Sequence, residues 1–402
     1  MLSRRDLFRL SAGAAAFACP GLSKLAFAAA GRDPGLLILL HLRGGCDGLN
    51  LVSPAEDGDF IAARASDLRV AAEGTDAGFP LGNGFFLHAA APGLAELYKQ
   101  GHLAIVHAAG LAAGTRSHFV AIDMIDRGIA DNAQLARATT GWLTRAGRGN
   151  AVSAATTPGG ELLGAASALA LPNLAGGVAP AGGPPVAAAL ERLYAGASGP
   201  FGTAGRQALE SLAAIDRRLP RDATGKVTLE TKAAYAGAGE LATPLQTVAQ
   251  LVRMEVGLTS ATLDLGGWDT HENQAGRFRN QVVKLSAGLA ALWEDLAPWH
   301  DRAVVVAWSE FGRRLRSNKS GGTDHGRGGV ALVLGGKVAG GRVAGAWPTL
   351  AADRLDEGVD LAVANDIRAV LAEALTAVDG VPPPPAVFPG FAAQPLGLFR
   401  RS

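Results

Sequence analysis

The chain has 402 residues, is 48% hydrophobic and 18% charged, and carries a formal net charge of +1. This is a globular mix with apolar material for a large core, and its charge balance excludes a partner held by bulk electrostatics, whether nucleic acid or an acidic membrane surface. Two cysteines, Cys19 and Cys46, exclude a disulfide scaffold, so stability has to come from packing.

The first segment, MLSRRDLFRLSAGAAAFACPGLSKLAFAAAG, has the pattern of a bacterial Tat signal peptide. Arg4 and Arg5 form the twin arginine, an Ala-rich mildly apolar stretch follows, and Ala26-Phe27-Ala28 supplies the small-x-small cleavage pattern. Residues 1–28 are therefore expected to be removed after Ala28, leaving 29–402 in the periplasm or outside the cell. The Tat translocase is then a transient partner. No later run of 18 apolar residues occurs, so no stable transmembrane anchor is expected. Tat carries folded proteins, which suits a protein loaded with a metal before export.

Five apolar runs predict buried strands: LLILLHL (36–42), LAIVHA (103–108), TLDL (262–265), AVVVAW (303–308) and ALVL (331–334). Their shortness and lack of alternation fit strands covered on both faces. Between them lie helical patterns. Phe278, Val282, Leu285, Leu289, Leu292 and Leu296 recur at steps of four and three and share one helix face. Leu245, Val248 and Leu251 mark another helix, and DIRAVLAEALTAV a last one before the Pro-rich tail. Strands alternating with helices predict a single α/β domain, a mostly parallel central sheet sandwiched by helices. Residues 151–204, rich in Ala, Gly and Pro, are expected to be an insertion with short strands or a lid, with a flexible linker as the alternative.

Ligands of open α/β sheets bind beyond the carboxyl ends of the strands. After the first strand come Gly44-Gly45-Cys46-Asp47; after the second, Arg116, Ser117 and His118; after TLDL, Trp268-Asp269-Thr270-His271; after AVVVAW, Ser309-Glu310-Phe311-Gly312-Arg313. Asp324, His325 and Arg327 come just before ALVL. Four carboxylates and two imidazoles meeting at one edge would need a cation between them. Asp47, Asp269, His271, Glu310, Asp324 and His325 are thus candidate ligands for one or two divalent ions, Zn²⁺, Mn²⁺ or Mg²⁺. Ser117 begins the helix SHFVAIDMIDRG, where the dipole favours an anion, and is the candidate nucleophile. Arg116 and Arg313 are candidate oxyanion clamps, and His118 a candidate acid/base or ligand. Singly, each has a plainer reading. Asp47 and Asp324 suit turns, Ser117 suits an N-cap, Glu310 could pair with Arg313 or Arg314, and His271 and His325 could be ordinary loop histidines. Their joint position is what points to a shared site.

Other chemistries lack their marks. No GxGxxG follows the first strand, and there is no Walker A loop, so no nucleotide cofactor is expected. There is no GxSxG elbow, and Cys46 lacks the C-x-P-x-R context from which sulfatases make formylglycine.

The segments RGGCDGLN, TRSHFVAIDMID, GWDTHENQ, SEFGRR and GGTDHGRGG resemble, in this order, those of the bacterial DUF1501 proteins. That family is grouped with the alkaline phosphatase and sulfatase superfamily. The resemblance implies an alkaline phosphatase-like fold and a two-metal site with a Ser or Thr nucleophile. On it, Asp47 would bind one metal, Asp269 and His271 another, and His325 would be the last histidine ligand. The superfamily usually has Asp-His where this chain has Glu310-Phe311, so one histidine ligand is missing. The expected activity is metal-dependent hydrolysis of a phosphate or sulfate ester, on a small molecule or a glycan. The alternative is a metal-dependent binding or assembly protein of the cell envelope without turnover.

Overall fold

The computed structural model describes residues 35–400, except 113–114, 149, 179, 181 and 232. The expected signal peptide at 1–28 lies outside the described residues.

The five expected strands, with four shorter ones, form a nine-stranded mixed sheet. Its strands are β1 (Leu36–Leu42), β2 (Leu103–Gly110), β3 (Ala151–Ser153), β4 (Leu169–Ala170), β5 (Ser260–Leu265), β6 (Ala303–Trp308), β7 (Gly329–Gly335), β8 (Arg342–Ala344) and β9 (Asn365–Asp366). The order is β8-β2-β7-β6-β1-β5-β3-β4, with β9 beside β2. Only β7 makes antiparallel pairs, with β2 and β6; every other pairing in this sheet is parallel. This direction decides the site. The carboxyl ends of β1, β2, β5 and β6 and the amino end of β7 lie at one edge. A residue just before β7 therefore meets residues just after the other four.

The core confirms why the strands read as unbroken apolar runs. β1 is buried throughout. Leu36, Ile38, Leu40 and Leu42 face one layer, and Leu37 and Leu39 the other. The first layer holds helices α1 (Pro92–Lys99), α5 (Ala242–Arg253) and α6 (Gln274–Asp295). The second holds α2 (His118–Asp126) and α7 (Ile367–Asp379). The face of α6 foreseen from spacing is buried at Phe278, Val282, Leu285, Leu289 and Leu292. Each such side chain is worth about 1.5–3 kcal/mol when taken out of water. Helix α6 starts at Gln274, four residues before the first apolar position of the pattern, Phe278, where the preceding loop hangs on backbone bonds from Asn273 and Gln274 to Ser320 and Gly321.

The Ala/Gly/Pro-rich segment contributes short strands to the sheet. β3 and β4 extend the sheet past β5, and a helix pair follows, α3 (Gly183–Gly196) and α4 (Gly199–Arg218). No helix among the described residues is long and apolar enough to cross a membrane.

Candidate metal centre

The turn after β1 explains its two glycines. Gly44 and Gly45 have φ of +118° and +65°, backbone that favours glycine. A Cβ on Gly44 would lie 2.5 Å from the Asp269 backbone nitrogen, and one on Gly45 would lie 2.6 Å from the Phe311 ring. The close approach lets Gly44 N–H donate to Glu310 Oε1 at 2.9 Å and the Gly45 carbonyl accept from Arg313 Nε at 2.7 Å. Replacing Gly45 with alanine is expected to destabilise the protein by about 2 kcal/mol or more, through positive φ plus overpacking, and to lower the midpoint of urea unfolding. An unchanged midpoint would refute this account of the turn.

At the sheet edge three imidazoles and one carboxylate converge. Ligand atoms of His118, Asp269 and His325 lie within 4.8 Å of one another. His118 Nε2 is 3.0 Å and His271 Nε2 2.9 Å from His325 Nε2. Asp269 Oδ1 is 3.1 Å from His271 Nε2 and 3.3 Å from His325 Nε2, and Asp269 Oδ2 is 3.8 Å from His118 Nε2.

The other nitrogen of each ring fixes what these Nε2 atoms are. His325 Nδ1 is 2.9 Å from the Arg116 carbonyl oxygen, which can only accept, so Nδ1–H donates. His118 Nδ1 donates to Glu310 Oε1 at 2.6 Å, and His271 Nδ1 to Asp324 Oδ1 at 3.3 Å. Burial pushes the Glu310 carboxyl up, but hydrogen bonds from His118 and His41 outweigh it and hold the carboxyl far below the usual range. The Asn318 amide, ahead of His271, keeps Asp324 ionised as well. His325 is held below the ordinary histidine range, chiefly by burial, with the Arg313 charge adding. With Nδ1–H donated in each ring, the neutral form carries a lone pair on Nε2, and the Nε2 atoms of His118 and His271 both point at that of His325 across about 3 Å. Bare acceptors this close repel unless a cation lies among them. Each Nδ1–H is anchored on an oxygen, the support that metal-bound histidines have. Asp269 adds a negative charge, since hydrogen bonding to Arg313 overcomes the effect of its burial.

The structure brings together Asp269, His271 and His325 and adds His118 to the ligand set. Other expectations change. Glu310 sits behind His118: Oε1 accepts from His118 and Gly44, and Oε2 lies 3.2 Å from His41 Nε2 and 2.9 Å from the Ser309 hydroxyl. Both its oxygens are engaged in this outer layer, so it serves the imidazole in place of an ion. Asp324 does the same for His271. Asp47 does not join the cluster's contacts. It is fully buried, pairs with Arg64, accepts from Gln274 Nε2 at 2.7 Å and from Asn50 N at 3.2 Å, and caps the short helix Gly48–Leu51. Its charge is neutralised by an arginine, the role the sequence reading gave to a metal.

The two arginines are also committed elsewhere. Arg116 donates to Asp360 from Nε at 2.9 Å and to Glu357 from Nη2 at 2.8 Å. Arg313, 1% exposed, donates to the carbonyls of Gly45, Thr323, Gly44 and Trp268 and, at 2.6 Å, to Asp269 Oδ1. Arg313 thus ties three loops together and holds Asp269 in place; neither guanidinium is presented as an oxyanion clamp. Ser117 occupies the N-cap position of α2, but its side chain makes no capping bond and the residue is exposed.

Phe311 is buried with its ring centroid 4.8 Å from that of His118 and 4.9 Å from that of His325. Two participants escaped the sequence reading, His41 and Arg64. His41 carries a visible signal, one polar side chain inside the apolar run LLILLHL; Arg64 carries none.

A family model described as "Protein of unknown function (DUF1501)" matches residues 112–375. The chain belongs to the DUF1501 family. The match takes in all of the ligand candidates except Asp47, which the structure separates from them. Among solved structures, this DUF1501 chain is similar to the C-terminal periplasmic domain of EcEptC from Escherichia coli in complex with Zn, at 10% identity and a TM-score of 0.35, covering 76% of this chain and 74% of that one. It is similar to alkaline phosphatase from the Antarctic bacterium TAB5, at 10% identity and a TM-score of 0.38, covering 87% and 99%. It is also similar to the lipoteichoic acid synthase LtaP from Listeria monocytogenes, at 8% identity and a TM-score of 0.31, covering 82% and 71%. No curated protein matches the sequence. At TM-scores this low the likenesses carry no argument about chemistry, which rests on the donor geometry alone.

Proposed function

We propose that this DUF1501 chain is an exported, metal-dependent hydrolase of phosphate or sulfate esters, with Ser117 as nucleophile. The observation that carries the reading is the convergence of three bare imidazole Nε2 atoms on Asp269. His118, Asp269 and His325 would hold the ion, with His271 beside them. A set rich in imidazole suits Zn²⁺ or Mn²⁺ better than Mg²⁺. Such an ion, when bound, supplies Lewis-acid polarisation of an ester oxygen and lowers the pKa of an oxygen beside it.

The chain's own residues do the rest. Glu310, Asp324 and the Arg116 carbonyl keep the rings in the tautomer that leaves Nε2 free. Arg313 fixes the Asp269 carboxylate. Ser117 offers an exposed hydroxyl at the positive end of α2, next to His118. Its Oγ would give up its proton and form the bond to phosphorus or sulfur as the ester oxygen leaves and takes up a proton, and water would then cleave the seryl ester and restore the hydroxyl. The twin-arginine segment supports export through the Tat translocase, and its removal after Ala28 is part of the same proposal.

The second reading is a metal-dependent binding or assembly protein of the envelope. Phe311 favours it, because a phenyl ring, which offers no ligand atom, packs against both His118 and His325. Aryl phosphate, phosphodiester and aryl sulfate assays on metal-loaded protein separate the two. Ser117→Ala is expected to lower turnover by about 10³-fold or more while leaving metal content intact. Turnover that survives the substitution removes Ser117 from the mechanism; no turnover by the metal-loaded wild type on any ester class favours the binding reading.

A further inference from the structure

We infer that His41, a buried histidine of β1, is a positioning residue for the metal centre, acting through Glu310 on His118. The inference rests on the metal reading above. The chain of contacts is continuous. His41 Nε2 lies 3.2 Å from Glu310 Oε2, and His118 Nδ1 lies 2.6 Å from Glu310 Oε1. A carboxylate only accepts, so both rings donate to it, from opposite oxygens.

The geometry leaves Glu310 no freedom. Gly44 N–H donates to the same Oε1 as His118, and the Ser309 hydroxyl lies beside the same Oε2 as His41. His41 is itself fixed: its ring stacks on Trp308 with centroids 4.1 Å apart and planes 12° from parallel, and it is 5% exposed. A rigid histidine in the sheet thus sets a carboxylate, and the carboxylate sets the tautomer and tilt of a candidate ligand ring. A polar side chain facing the interior from the strand LLILLHL requires a partner, and Glu310 is that partner. Outer partners of metal-bound histidines typically change affinity by roughly 10- to 100-fold when removed.

Because His41 also packs on Trp308, the test has to separate packing from hydrogen bonding. Co²⁺ is titrated into metal-stripped full-length protein, and its visible d–d absorption gives both affinity and ligand geometry. His41→Phe keeps a stacked ring and loses the donor; acting one contact beyond the ligand's direct partner Glu310, it is expected to weaken Co²⁺ by about 10-fold, the low end for loss of a direct partner, and to alter the spectrum. Glutamine can place an N–H where Nε2 was, whereas asparagine is too short. His41→Gln is therefore expected within a few-fold of wild type, and His41→Asn to resemble the phenylalanine variant. The Gln–Asn pair carries the test if His41→Phe does not fold. Wild-type affinity in both His41→Phe and His41→Asn, or equal affinity of the Gln and Asn variants, overturns the role of His41. A wild-type protein that gives no Co²⁺ spectrum overturns the metal site instead.

Discussion

Replacing His325 with alanine is expected to abolish metal retention. His325 is the hub of the cluster: its Nε2 lies within 3.3 Å of His118, His271 and Asp269 atoms. Loss of an outer partner costs roughly 10- to 100-fold in affinity, so loss of the central donor should exceed that. The readout is elemental analysis of purified protein together with thermal unfolding. For the wild type, metal at about 100 times its Kd adds about 2.7 kcal/mol, because the ion binds only the folded state. The alanine variant should show no such gain. Without metal the variant loses the Nδ1–H bond to the Arg116 carbonyl, worth about 0.5–1.5 kcal/mol, so the metal-free variant is its own baseline for the missing gain. Full metal content in the variant would end the proposal that this cluster holds an ion.

The second large effect is on folding. Asp47 and Arg64 are both 0% exposed in their side chains and form an ion pair inside the protein. Arg64 also donates to the carbonyls of Leu315 and Arg314, each at 2.8 Å, so it binds the segment after Glu310 to the turn after β1. Arg64→Met keeps much of the aliphatic volume and strands the Asp47 charge. Breaking a buried pair from one side costs about 3–5 kcal/mol. Urea unfolding should show that loss. The double variant Arg64→Met with Asp47→Asn should recover part of it, since no lone charge remains. A loss below about 1 kcal/mol in the single variant would mean that Asp47 is not neutralised by Arg64 and would reopen its assignment as a metal ligand.

The fold was readable because buried parallel strands leave unbroken apolar runs. β1 and β6 begin and end where their runs do, Leu36–Leu42 and Ala303–Trp308. The convergence of Asp269, His271 and His325 was readable because sheet topology brings strand-end loops together whatever their distance in sequence. Asp47 misled because a carboxylate after a strand can be neutralised in two ways, by an ion or by an arginine, and Arg64 sits in a stretch with no pattern of its own. Glu310 and His118 exchanged places for a related reason. Both flank the centre, and only the 2.6 Å bond between them shows which one stands behind the other. Arg116 and Arg313 are close to the centre as expected. A planar five-donor group there satisfies backbone carbonyls and carboxylates of the scaffold just as well as a substrate oxyanion, and sequence does not distinguish these uses.

The central position of β1 has a consequence for how the chain matures. Its neighbours on both sides, β5 and β6, are encoded more than two hundred residues later. At a synthesis rate of roughly 5–20 residues per second, the greasy first strand waits on the order of tens of seconds on the ribosome before either flank exists. Throughout that interval it needs shelter from other nascent chains, and the loops that cradle the ion cannot close until translation has passed the segment around His325.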